Sequence, residues 1–321
     1  QQLVHSLGAQ FIVEEHRSRF AKDFVLPAIA AQASYLGGHP ICASLSRPLM
    51  AHVACEVAQA NNCDIIIHTS NRSQNSLRRF NGALGSLGFR GHFGSPFELS
   101  IIPREIKGNE LSAAGVHVSL DNVHSIDTNL WGREFEYGDI DDPEQVKVPE
   151  HLYKWTACSD SIKPTDLSIS FIKGIPVALN DEMDPVALIQ ELNGTVGAYG
   201  LGRYIGLEEI EGGVKVQEVR EMPAAYLLLD AYRRLETACL PAECIREKMT
   251  LEQLWVREAI EGRWYGSLRL AAQAFIQTLA QEVTGSVSYQ INRHKLQVTS
   301  VKAEKPLYIR DRSQYERAEH G

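Results

Sequence analysis

The residues most suited to chemistry stand in one polar run, His68-Thr69-Ser70-Asn71-Arg72-Ser73-Gln74-Asn75-Ser76-Leu77-Arg78-Arg79-Phe80, directly after the apolar stretch CDIIIH. That stretch reads as a fully buried parallel strand, and open α/β sheets bind ligands beyond the carboxyl ends of their strands. Hydroxyls, amides and guanidiniums placed there can orient a polar substrate and neutralise an anion. Each candidate also has a plain structural role. Asn75 suits a turn, Arg78 and Arg79 suit a solvated helix face, and His39 between Gly38 and Pro40 suits a surface loop. Ser44 and Ser125 suit helix caps or turns, and Trp131 and Phe135 suit the core.

Composition narrows what these groups can serve. With 321 residues, 44 % hydrophobic and 22 % charged, the chain is long enough and apolar enough for two ordinary globular domains. A formal net charge of -8 with no dense Lys/Arg run argues against a nucleic-acid-binding surface. Any anionic substrate must meet positive charge gathered locally, from a few arginines or a bound metal ion. Cys42, Cys55, Cys63, Cys158, Cys239 and Cys244 are scattered, with no CxxC pair, so structural thiols are expected and no metal site. No stretch approaches the ~20 apolar residues of a membrane span. Residues 1–10 lack the plan of a signal peptide, so a cytoplasmic protein is expected.

The elements that must position these residues follow from periodicity and breakers. Residues 1–10 read as the end of a helix stopped at Gly8, and Phe11–Val13 as a short strand. A βαβ unit entered halfway looks like this, so a segment preceding residue 1 in the parent fold is expected. Residues 19–34 read as a helix interrupted at Pro27, with Gly37-Gly38 closing it. A second helix is expected to start with Ser46 as cap and Pro48 in its first turn, running to Asn61-Asn62. Phe97–Arg104 reads as another buried strand, and the acidic, proline-bearing segment from Tyr137 to His151 as a surface excursion. Further on, DLSISFIKGIPVALN predicts a hairpin turning at Lys173-Gly174, and Asp184-Pro185 predicts a capped helix. A strand pair around GGVKVQEV, a helix over 224–239, helices across 251–283 and a final hairpin turning near Asn292-Arg293 complete the pattern.

Seven segments together resemble the argininosuccinate synthase family, in its order and at about its spacing over nearly the whole chain. They are LPAIAAQASYLGGHPICASLSRPLMA, DIIIHTSNRSQNSLRRF, SIDTNLWGREFEYG, FIKGIPVALN, GAYGLGR, EMPAA and VTGSV. The resemblance implies an α/β, adenine-nucleotide alpha-hydrolase-like (pyrophosphatase-loop ligase) parallel-sheet domain over residues 1–117, truncated at its N-terminus. An α+β synthetase and multimerisation domain over 118–321 follows. It also implies ATP and Mg2+ as cofactors, small-molecule amino-acid substrates, and a homo-oligomer, dimer or tetramer. In that chemistry ATP adenylates the ureido oxygen of citrulline, and the aspartate amine then displaces AMP. The protein's task is to orient ligands and neutralise phosphate charge, so no protein nucleophile is expected.

The family's site residues transfer in part. Its first phosphate-binding loop, Ser-Gly-Gly-x-Asp-Thr-Ser, is absent from the chain. Its second nucleotide loop falls on His68, Thr69, Ser70 and Ser73, but without the family's three glycines and with Ser73 in place of its lysine. Asn75, Arg79 and Phe80 match. The amine or aspartate set falls on Asn71, Asn75 and Ser76, where Asn71 replaces a threonine and Ser76 a carboxylate. The citrulline pocket falls on His39, Ser44, Asn75, Arg79, Ser125, Glu134, Glu208 and Arg220. Of these, Ser44, Arg79, Ser125 and Glu208 match, while His39 and Arg220 replace tyrosines and Glu134 replaces a serine. Opposite charges at 134 and 220 are expected to pair, to change which ligand fits, or to close the pocket. Two functions follow: an ATP-dependent carbon–nitrogen ligase with an altered substrate pair, or a non-catalytic homologue keeping the scaffold as a binding or assembly module.

Overall fold

A computed structural model describes residues 4–5, 7–100, 102–116 and 124–319. Helix α1 covers residues 17–30, with one π turn, Ala21–Val25, just before Pro27. The wider turn accommodates a proline that lacks an N–H and whose ring crowds the carbonyl four residues earlier. The helix ends before Gln32 (φ 47°), and the hairpin β1 (Ser34–Tyr35) and β2 (His39–Pro40) turns through Leu36 and Gly37 at positive φ. Residue 34, expected as helix, is therefore strand. Helix α2 (Ala43–Ala60) starts three residues before Ser46, whose hydroxyl donates to the Ala43 carbonyl and caps nothing.

The apolar stretch forms β3 (Ile65–Ile67), parallel to β4 (His92–Gly94), with α3 (Ser76–Ser86) as the crossover. Its direction is as expected and its burial is not. Ile65 is 58 % and Ile67 70 % exposed, because among the described residues only β4 pairs with it and only Ile66 turns inward against α2 and α3. Two further expectations fail. Phe11–Val13 is exposed irregular chain. In place of a strand at 97–104, Ser95 caps a single helical turn, Pro96–Leu99, its side chain accepting from the Phe97 amide. Helix α4 (Arg104–Ala113) follows, and residue 101 lies outside the described residues. The apolar run there is too short to alternate, and the Ser-Pro start decides for helix. The expected domain boundary at 117/118 also lies outside the described residues.

The rest of the chain builds two antiparallel sheets. Strands β5 (Ser125–Thr128), β6 (Arg133–Glu136), β10 (Arg203–Glu209) and β11 (Lys215–Glu221) form one, in the order β10-β11-β6-β5. Strands β7 (Thr165–Ile172), β8 (Ile175–Leu179), β9 (Asp181–Glu182), β12 (Gly285–Asn292) and β13 (Lys295–Ala303) form the other, in the order β13-β12-β7-β8-β9. The expected hairpins are present, with Lys173 and Gly174 at φ 49° and 78°.

Helix α5 (Pro185–Gly197) has Pro185 at its first position and the Asp184 carboxylate accepting from the Val186 and Ala187 amides. Helices α6 (Pro223–Cys239), α7 (Ala242–Ile260), α8 (Ser267–Ala280) and α9 (Arg312–Glu319) complete the chain. The main core lies between α6 and the five-stranded sheet, where Leu227, Leu228, Tyr232 and Leu235 are fully buried and Tyr232 meets Phe171 edge to face at 5.9 Å. Each such side chain contributes about 1.5–3 kcal/mol relative to exposure.

Candidate functional site

In the four-stranded sheet, antiparallel register decides which side chains share a face. Asp127 lies opposite Glu134, Glu134 opposite Arg220, and Arg220 opposite Tyr204. Since side chains alternate along a strand, Ser125, Asp127, Glu134, Glu136, Glu218, Arg220, Gly206 and Glu208 all stand on one side. On the other side, Arg133 and Glu221 pair at 2.7 Å, and Glu221 also accepts from the amides of Lys154, Trp155 and Thr156. That pair ties the loop after residue 150 to the sheet. Trp131 and Phe135 are core residues, each 1 % exposed.

The first face meets the N-terminus of α2 and the start of α3. Arg220 Nε donates to Glu134 Oε1 at 2.6 Å, and its Nη2 donates to Glu208 Oε2 at 2.9 Å and to Glu218. Arg79 reaches Glu208 Oε1 at 2.5 Å and the Ile260 carbonyl at 3.1 Å, so it is buried and not a solvated helix residue. Asn75 donates to Glu208 Oε1 at 2.7 Å and to the Glu209 carbonyl at 2.9 Å. The Ala43 amide donates to Glu134 Oε2 at 3.1 Å, which places a carboxylate at the positive end of α2. Arg47, from the next turn of that helix, pairs with Asp127 at 2.6 Å and donates to Ser76 Oγ at 3.0 Å.

Charge balance in this cluster moves the carboxyl groups apart. Burial works against ionisation of Glu208, but Arg79 and Arg220 outweigh it and draw that carboxyl down to about 2. Burial raises Glu218 to about 8, with Glu208, Glu134 and Glu136 adding to the effect and Arg220 opposing it. Burial likewise raises Glu136 to about 7, against the hydrogen bond from Gln74 and with help from Glu134, Asp141 and Glu208. His39 is buried under the sheet, not on a surface loop. Its ring stacks on Tyr35 at 5.5 Å and fills the space left by Gly206, where a Cβ would strike the imidazole. Burial and then Arg220 lower its pKa to about 4.

A narrow cleft of about 60 Å³ opens on this cluster, lined by Arg47, Asn75, Ser76, Ser125, Glu134 and Glu136 among others. Of the sequence candidates, the structure gathers Ser73, Asn75, Ser76, Arg79, Ser125 and Glu134 at its wall, with Glu208 and Arg220 directly behind. Ser44 is buried in the first turn of α2. His68 lies apart, at the end of β3, bonded to Asn81 at 2.9 Å and stacked on Phe80. Thr69 is exposed and Ser70 buried. Asn71 closes a turn on Ser73, accepting from its amide at 3.1 Å and its hydroxyl at 2.7 Å.

Sequence reasoning missed Arg47, Asp127, Glu136 and Glu218. Three of them carried a signal: Asp127, Glu136 and Glu218 lie two residues from Ser125, Glu134 and Arg220, and period-two strands bring such residues to the same face.

A triphosphate needs consecutive free backbone N–H groups or clustered cations. The turn at 71–73 directs the Ser73 amide and hydroxyl inward, and the Gln74 amide donates to the Asn71 carbonyl. The described loop therefore does not fit a triphosphate by itself. Among the described residues no group of three or more His, Cys, Asp or Glu is placed to hold a metal ion.

Comparison with known proteins gives two family matches, "Arginosuccinate synthase N-terminal HUP domain" over residues 1–90 and "Arginosuccinate synthase C-terminal domain" over 124–320. The chain is 32 % identical to the argininosuccinate synthase of Rubrobacter xylanophilus, over 97 % of this chain and 77 % of that protein. It is 37 % identical to that of Sulfurisphaera tokodaii, over 86 % and 70 % respectively. With that of Dictyoglomus turgidum it shares 36 % identity over the same two proportions.

Proposed function

Since the chain belongs to the argininosuccinate synthase family, we propose that it acts as an ATP-dependent carbon–nitrogen ligase with an altered acceptor pocket. The relatives are named for making argininosuccinate. The observation that carries the altered pocket is the Glu134–Arg220–Glu208–Arg79 chain of ion pairs behind the cleft. Two of its four members replace neutral hydroxyl side chains of the family pattern.

The chain's own residues have positioning work in this reading. Arg79 and Asn75 fix Glu208, and Arg220 ties Glu208 to Glu134, so the back wall is held rigid before a ligand enters. Ser76 and Ser125 remain at the wall to orient a polar substrate, with Arg47 holding Ser76 and Asp127 in place. ATP with magnesium on its phosphates is the activating co-substrate in this reading. The reading further includes the domain division at 117/118, assembly as a homo-oligomer, and a cytoplasmic setting. All six cysteines are free thiols, and among the described residues no helix is long and apolar enough to cross a membrane.

The test is incubation with magnesium ATP, an amine donor and a panel of neutral and basic amino acids, with AMP and pyrophosphate measured. AMP release that depends on one amino acid supports the ligase. No nucleotide binding by calorimetry and no AMP with any of the panel would overturn it. That result would select the non-catalytic reading, which the inward-turned Asn71–Ser73 loop favours.

A further inference from the structure

On the reading that the cleft is an amino-acid pocket, we propose that it receives the cationic head of its ligand, a primary ammonium or an amidinium, where the family pattern holds a neutral ureido group. Three observations converge. First, the cluster has two guanidiniums, Arg79 and Arg220, for four carboxylates, Glu134, Glu136, Glu208 and Glu218, while Arg47 is taken by Asp127. Second, Glu136 lines the cleft with no cation beside it among the described residues; its side-chain partner is the Gln74 amide at 3.2 Å.

Third, Asn75 is only 6 % exposed, and its Oδ1 has no donor. Flipping the amide would not cure this, because the nitrogen is held by two acceptors, Glu208 and the Glu209 carbonyl. A buried acceptor without a donor is costly, and Asn75 stands in the wall of the same cleft. An ammonium brings three donors and a full charge, and the acidic side chains Glu136 and Glu218 line the cleft to receive them. A ureido group brings N–H donors too, but no charge to balance an ionised Glu136 or Glu218. Burial keeps Glu136 and Glu218 partly protonated near neutrality. An entering cation favours their ionised forms and so strengthens its own hold.

The experiment is calorimetric titration of the full chain at pH 8, without nucleotide, with ornithine, citrulline and norvaline. These share the α-amino acid end and differ at the tip: ammonium, ureido and methyl. Ornithine is expected to bind at least about tenfold tighter than citrulline, with norvaline weakest. Glu136→Gln should reduce ornithine affinity about tenfold and leave norvaline unchanged. Since Glu136 is half-buried, its thermal melt checks folding, and Glu218→Gln provides a second variant with the same expected direction. Citrulline binding as tightly as ornithine, no ornithine binding, or ornithine affinity untouched by both variants would overturn the proposal. Failure of the ligase reading looks different: ornithine would bind, and no amino acid would elicit AMP from magnesium ATP.

Discussion

Two buried ionic clusters of this molecule differ in balance. Between α6 and α7, Lys248 meets Glu236 at 2.7 Å and Glu252 at 2.5 Å, while Arg233 reaches the same two carboxylates at 2.6 Å each. Two cations face two anions, and Lys248 is fully buried over the Tyr232 ring. On the four-stranded sheet, Arg79 and Arg220 serve four carboxylates at the edge of a cleft. A buried charge is tolerable only when paired and hydrogen-bonded. The balanced cluster pairs its charges one for one and locks two helices together. The acid-rich one holds two carboxyl groups partly protonated and leaves the Asn75 acceptor unsatisfied beside a cleft. Burial of charge is therefore a poor marker of a site, and imbalance beside a cavity a better one.

The comparison can be broken first at its structural end. Lys248→Met leaves two buried carboxylates to Arg233 alone and is expected to cost about 3–5 kcal/mol, read by denaturant unfolding. It should leave amino-acid binding per folded molecule unchanged. Arg220→Met should cost about 3 kcal/mol at pH 8 and less at pH 5, where its former partners can take up protons. A loss independent of pH would show that the side chain acts through packing alone.

Titration sharpens the contrast next. The folded pKa values of Glu136 and Glu218, about 7 and about 8, lie above the ordinary 4.5. The folded state therefore binds more protons, and these groups favour folding below about pH 4.5, an advantage lost as pH rises through 8. Glu134, Glu208 and Arg220 face Glu218, and with Glu218→Gln the loss of melting temperature between pH 6 and 9 should shrink by several degrees. Glu208, depressed to about 2, acts in the opposite sense and stabilises above 4.5 until acid reaches it. The smallest effect is expected far from both clusters. Asp184→Ala removes the cap of α5 and should cost about 1 kcal/mol with no change in the pH slope.

Much of this was legible in the chain. Asp184-Pro185, Lys173-Gly174 and the alternating runs before and after residue 293 name their elements because capping, positive φ and period-two burial act over a few residues. The seven ordered segments identified the family. Exposure of Ile65 and Ile67 was not legible, since an apolar strand reads the same whether or not neighbours cover it. Nor was the helical turn at 96–99, where a local Ser-Pro start outweighed an apolar run.

The sequence by itself determined the family, most of the element order, and the residue types that could stand at a site, including opposite charges at 134 and 220. Only the tertiary structure decided that those two pair across a register linking residues 86 positions apart. It also decided that Glu136 and Glu218 join the same face, and that His39 lies buried beneath Gly206. Strand register, helix approach and the balance of buried charge depend on contacts between distant segments, and no local pattern encodes them.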